Sequence, residues 1–191
     1  MRPMLTLLMM ASVLAGGLPQ LAFAQDIARA SQSLELSATA PSACVVRTPQ
    51  AISAANATFQ ANGAAGGQVT ITRLVDPDTA LARATTIEIA VPATCNASHR
   101  VTALSGRGGL QRIGATGVEG TGFAEFLTYS LRLGWAGVQR EQASNLGLLA
   151  VAVANGATGE VALRVATVAG GTPLIAGQYD DSIVIQLQPA D

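Results

Sequence analysis

The chain contains no lysine; all 11 of its basic residues are arginine. Without lysine there is no GxxxxGK[ST] loop, and no GxGxxG stands between a strand and a helix, so the usual phosphate cradles are excluded. Charge of either sign is scarce, at 12% of residues with a formal net charge of −1, and the arginines form no cluster. Nucleic acid and anionic membranes are therefore not predicted partners. Histidine is scarcer still. His99 is the only one, so a Ser-His-Asp triad has a single candidate base, and no GxSxG elbow offers it a nucleophile. Flanked by Ser98 and Arg100 at a predicted strand start, His99 is read as exposed or capping. Asp76 and Asp78 flank Pro77 as a turn does, while Asp180 and Asp181 are adjacent and on a strand point to opposite faces, where they cannot chelate together. No catalytic, cofactor-binding or metal-binding residue is assigned, no cofactor is expected, and the chain is read as not an enzyme.

Long apolar runs are also missing. No segment reaches about 18 uninterrupted apolar residues, which argues against an integral membrane protein. The one sizeable run, residues 5–18, follows Arg2 and precedes Ala22-Phe23-Ala24, the small-x-small pattern of an export signal cleaved before Gln25. The expectation is a signal peptide over 1–24 and an exported chain of 191 minus 24, or 167, residues, enough for one domain. Export places the only two cysteines, Cys44 and Cys95, in an oxidising compartment, where one disulfide is the default. They lie outside any CxxC, which disfavours a redox or metal role. Asn96-Ala97-Ser98 formally matches a glycosylation acceptor but reads as an ordinary strand start.

What is present is alternation. Helical periodicity is nowhere sustained for ten residues. Val69 and Ile71 alternate within 68–75; Ile87, Ile89 and Val91 share one face of 85–91; and Val101 and Ala103 continue inward after Cys95. Residues 126–135 read as one strand through Leu127, Tyr129, Leu131, Leu133 and Trp135. An apolar run at 146–154 and the alternating Val161, Leu163 and Val165 add two more. Residues 45–67 and 106–122 are small and glycine-rich and read as loops, the first with a short strand near Thr58 and Phe59. Seven to nine short strands separated by turn signals predict an all-β sandwich. From Gln25 to Ala40 the even positions are mostly alanine or leucine. This stretch is either an ordinary first strand or, over residues 25–32, a segment with no place in its own domain.

The terminal stretch AGQYDDSIVIQL carries the clearest pattern, with Tyr179, Asp181, Ile183, Ile185 and Leu187 at period two and Val184 the apolar exception on the other face. A sandwich flanks such a strand on both sides, and no later segment supplies the second neighbour. Asp181 is either an edge residue near solvent or a hydrogen-bonded, partner-binding carboxylate at the rim of a groove.

Together, LELSATAPSACVV around Cys44, VPATCN at Cys95, GRGGLQR, FLTYSLRLGW and above all AGQYDDSIVIQL cover most of residues 33–187 and resemble the spore coat protein U domain family, the pilin subunits of archaic chaperone-usher systems. The resemblance implies an incomplete immunoglobulin-like β-sandwich over 33–191 that lacks its last strand, preceded by a donor-strand extension at 25–32. A periplasmic chaperone, and later the N-terminal extension of a neighbouring pilin subunit, would fill the gap by β-strand addition at an outer-membrane usher. Carried over, the acceptor groove is Tyr179, Asp181, Ile183, Ile185 and Leu187. The donor is Leu34 and Leu36 with Ile27, Ala28 and Ala30, and Cys44 and Cys95 form the family's disulfide. The implied function is a structural subunit of a cell-surface fibre supporting adhesion or biofilm formation. The alternatives are a tip-associated or non-polymerising binding module using loops 106–122 or 136–145, and a small secreted hydrolase.

Overall fold

Alternation is most regular around Ile87, Ile89 and Val91, and there one of the two longest strands forms. The computed structural model describes residues 31–63, 66–117 and 122–190; the export signal and Ile27, Ala28 and Ala30 lie outside them. In chain order the strands are β1 (Cys44–Val46), β2 (Gln50–Ala55), β3 (Ala57–Ala61), β4 (Gly67–Ile71), β5 (Thr85–Cys95), β6 (His99–Ser105) and β7 (Leu110–Arg112). They continue with β8 (Phe126–Leu127), β9 (Ser130–Trp135), β10 (Val138–Ala143), β11 (Leu149–Val153), β12 (Ala157–Thr167), β13 (Tyr179–Asp180) and β14 (Ile183–Pro189). Among the described residues no helix is long and apolar enough to cross a membrane. The chain divides at residue 39 into two units. The described part of the first, 31–39, has no regular structure, and the second holds every strand among the described residues.

That second unit is an all-β sandwich. Its larger sheet runs β1–β5–β12–β9–β10, with β2 sharing the β5 edge with β1, and its smaller sheet runs β11–β6–β14. β5 and β12 pair in an unbroken antiparallel register from Thr85↔Thr167 to Cys95↔Ala157. With β9 they bury alternate residues against the opposing sheet: Ile87, Val91, Val161, Leu131 and Leu133 on one side, Val101, Ala103 and Val151 on the other, all within one buried cluster. Each large aliphatic buried in this way stabilises the fold by about 1.5–3 kcal/mol before conformational entropy is charged against it.

The outward face of the larger sheet is polar. Glu88, Arg164, Arg132 and Glu141 lie opposite one another across β5, β12, β9 and β10, so the two adjoining arginines are bracketed by carboxylates. Arg132 pairs with Glu141 at 2.7 Å and Arg164 with Glu88 at 3.7 Å. These half-exposed pairs contribute at most about 1 kcal/mol each and serve mainly to cancel the repulsion of facing guanidinium groups.

Two predicted strands are each broken in two. Residues 126–135 divide into β8, which joins the small β13–β7–β8 sheet, and β9, which joins the sandwich. The break at Thr128 and Tyr129 is held by Ser144, whose Oγ accepts from Tyr129 N at 3.1 Å and whose N donates to Tyr129 O at 2.8 Å. The terminal stretch divides likewise at Asp181. Residues 45–67 contain β1 and β2 as well as β3, and 106–122 contain β7, so both are more structured than loops. Residues 31–40, the described part of the N-terminal alternation, form no strand. The turn at Asp76 forms as expected, with Asp76 Oδ1 accepting from Asp78 N at 3.1 Å.

Candidate functional site

The sandwich is closed along one side, where β10 meets β11, and open along the other. There β14 ends the smaller sheet; it has β6 as its ladder partner, and among the described residues no strand lies on its other edge. β14 approaches β1 without sharing a ladder with it. The imbalance shows in burial: Val101 and Ala103 of β6 are 0% exposed, whereas their partners Leu187 and Ile185 are only half-buried.

The open side is a cleft of about 870 Å³. Its floor is the inward face of the larger sheet, through Ile87, Ile89, Val91, Leu163 and Val165. One wall is β14, through Ile183 and Ile185, and the opposite edge includes Val46, Arg47 and Pro49. Tyr179 and Asp181 stand at its rim. Leu187 faces the same way and packs against the core but does not line the cleft. An unpaired strand edge above an apolar floor presents two demands at once: backbone N–H and C=O groups seeking a ladder, and aliphatic side chains seeking cover. One extended segment with apolar residues at alternate positions meets both.

The β14 wall is positioned by Asp181, which lies outside both β13 and β14. Its Oδ2 accepts from the Tyr129 hydroxyl at 2.7 Å and from the Ser105 hydroxyl; its Oδ1 accepts from Arg107 N at 2.9 Å and Ser182 N at 2.7 Å. Four donors converging on one carboxylate pull the chain out of strand geometry here. β13 therefore pairs with β7, and β14 starts afresh opposite Ser105. Burial pushes the Tyr129 phenol well above the usual tyrosine range, and the neighbouring Asp181 carboxylate adds to the shift. Burial also raises Tyr179, whose hydroxyl lies 2.8 Å from Ile175 O and 3.1 Å from Ala124 O.

Opposite Tyr179 on β7, Arg112 donates through Nε and Nη2 to Glu125 Oε1 at 2.9 and 2.6 Å, while Glu125 Oε2 accepts from Thr116 N and Gly117 N. The Arg112 guanidinium bond, with these amides, holds the Glu125 carboxyl below the usual range. The pair fastens the glycine-rich connector to β7.

The opposite wall is fastened covalently. Cys44 and Cys95 form a disulfide between directly opposed residues of β1 and β5. Asn96 adds two bonds to the chain leading into β1, accepting from Ala43 N at 2.7 Å and donating to Pro41 O at 2.9 Å; its side chain is a structural clasp.

His99 is a correction. It begins β6 but is 1% exposed. Its Nδ1 sits 2.7 Å from Ala97 O and its Nε2 2.6 Å from Trp135 Nε1, which reaches across from β9 in the other sheet. Of the proposed donor residues, Leu34 and Leu36 are 90% and 94% exposed within the irregular 31–39 segment. Tyr129, Ser105 and Phe59 border the site without having been singled out. Alternation marked Tyr129 as inward-facing, but only the fold brings it to Asp181, 52 positions away. The chain matches no family model, no curated protein and no solved structure.

Proposed function

We propose that this protein is a structural subunit of an exported surface fibre whose subunits are joined by strand donation, as in the chaperone-usher pilins its motifs resemble. The observation that carries the reading is the single-sided pairing of β14 above an apolar cleft. In this reading the vacant lane beside β14 receives an extended N-terminal segment, residues 25–32 with Leu34 and Leu36, from a neighbouring subunit. A periplasmic chaperone occupies the lane beforehand, and an outer-membrane usher exchanges one strand for the other. Ile183 and Ile185 meet the incoming apolar residues, and each side chain buried contributes about 1.5–3 kcal/mol before ordering costs. The exposure of Leu34 and Leu36 supports the same reading from the donor side. The role is mechanical, a joint in a polymer serving adhesion or biofilm formation, and it assigns no catalytic step.

Periplasmic expression of the full chain, with and without residues 25–32, tests it. The full form is expected to give SDS-resistant ladders or a stable complex with a small chaperone, and the truncated form is expected to bind the chaperone but form no ladder. A full-length form that stays monomeric, soluble and fully stable by itself refutes the proposal.

A further inference from the structure

Beside the two sheets stands a ribbon that neither uses. Among the described residues β3 and β4 pair only with each other, and their register sorts the side chains onto two faces: Ala57↔Ile71 and Phe59↔Val69 on one, Thr58↔Thr70 and Gln60↔Gln68 on the other. Thr58, Gln60, Gln68 and Thr70 are exposed. The apolar face borders the cleft through Phe59, Val69 and Ile71, and Phe59 is packed against the core. Gly67 makes room for that ring, since a Cβ at this position would come within 2.4 Å of Phe59 Cε2 and Cζ.

Besides the packing of Phe59, a hydrogen-bonded clamp anchors the ribbon at its base. Asn56, with φ of 58°, donates through Nδ2 to Arg73 O at 2.7 Å and Thr85 Oγ1 at 2.9 Å and accepts from Arg73 N at 3.0 Å. Beyond this clamp β4 borders the cleft along its length, with Gln68 and Thr70 at the margin between cleft and solvent. An amphipathic two-stranded ribbon clamped at its base and laid apolar side down against an open cleft has the construction of a flap.

We propose that the β3–β4 ribbon closes over the strand bound in the cleft and sets how long that strand stays, with Phe59 as the contact residue. The inference rests on the strand-donation reading and deepens it. The donor offered by this chain is poor in bulk: Ala28 and Ala30 lie between Ile27 and Leu34, and alanines at alternate positions leave part of a cleft of about 870 Å³ unfilled. The Phe59 ring supplies from the acceptor the apolar volume that the donor lacks. The flap must lift for a strand to enter laterally, and once closed it shields the strand from water and from competing strands.

The test measures strand lifetime. Full-length mature chain is loaded with a fluorescent peptide of residues 25–40, and its loss is followed after a chase with unlabelled peptide. Phe59→Ala is expected to shorten the lifetime by about tenfold or more, and Gly67→Ala, which keeps the ring but crowds its seat, to shorten it in the same sense. Thr58→Ala on the polar face should stay within about twofold of wild type. A generally weakened fold would lower the melting temperature of the unbound chain in proportion; the flap predicts a lifetime loss larger than that fall accounts for. If Phe59→Ala does not fold, Phe59→Leu replaces it with the same expectation in direction. Equal lifetimes in folded wild type and variant overturn the flap and leave strand donation standing, whereas failure of the wild type to take up any peptide overturns strand donation and the flap with it.

Discussion

The replacement of Trp135 by Phe probes the hydrogen bond that crosses the sandwich. Ala97 O can only accept, so His99 Nδ1 carries the ring proton and Nε2 is left as an acceptor, which Trp135 Nε1–H fills at 2.6 Å. Both residues are within 3% of full burial, so no solvent stands ready to replace the lost donor. Stranding a buried acceptor costs about 1–3 kcal/mol, and the smaller ring adds a cavity cost on the order of 1 kcal/mol. The expected total is about 2–4 kcal/mol, or roughly 5–15 °C in melting temperature for a domain of this size. Trp135 is the only tryptophan, so unfolding in urea must be followed by far-UV circular dichroism. His99→Leu in the same background closes a double-mutant cycle. Because the second change removes the stranded acceptor, the double variant should cost less than the sum of the singles by about 1 kcal/mol or more. A coupling below about 0.5 kcal/mol would refute the claim that this bond ties the sheets together.

Reduction, or Cys44→Ser with Cys95→Ser, releases a 51-residue loop closure and should cost about 4 kcal/mol on the chain-entropy account; free thiols found by mass spectrometry in exported protein would count against the bond. The raised Tyr129 means that the folded state holds its phenolic proton longer than the unfolded chain does. Its stabilising contribution is whole below about pH 10 and falls as pH rises beyond that; Tyr129→Phe should flatten the alkaline loss seen in denaturant midpoints from pH 9 to 11. The lowered Glu125 acts in the opposite direction. Its contribution is present above the ordinary glutamate range and is lost as pH falls through and below about 4.5, so Glu125→Gln should be less acid-sensitive than wild type while weaker at pH 7.

The residues that alternate on both faces of a well-paired strand were legible in advance. β5, β6 and β12 lie where Ile87, Val101 and Val161 marked them, and β11 lies within the apolar run 146–154, because each buries one face against an opposing sheet. Strands without such a face left no trace. β2 is exposed along its whole length and reads QAISAA, and β10 reads VQREQA; only the backbone ladder to a neighbour makes them strands. The split at Asp181 was hidden because period-two spacing runs straight through it, and what breaks the strand is a set of donors from Ser105, Arg107 and Tyr129 that lie far back in the chain. His99 misled for the same reason, as its partner Trp135 is 36 positions away on the other sheet. The strands of the ribbon were legible near Phe59 and at Val69 and Ile71, but their pairing beside the cleft was not, since nothing in the local pattern says which strand an isolated hairpin borders.

The kink at Asp181 does more than end one strand and begin another. By fixing Ile183 opposite Ser105, it sets the phase of β14. A slip of one residue would turn Val184, Gln186 and Gln188 into the sandwich and Ile183, Ile185 and Leu187 out to water. A strand pairing with this edge would have to match that phase, so a carboxylate at the rim acts as an index mark for which residues of such a strand would face inward.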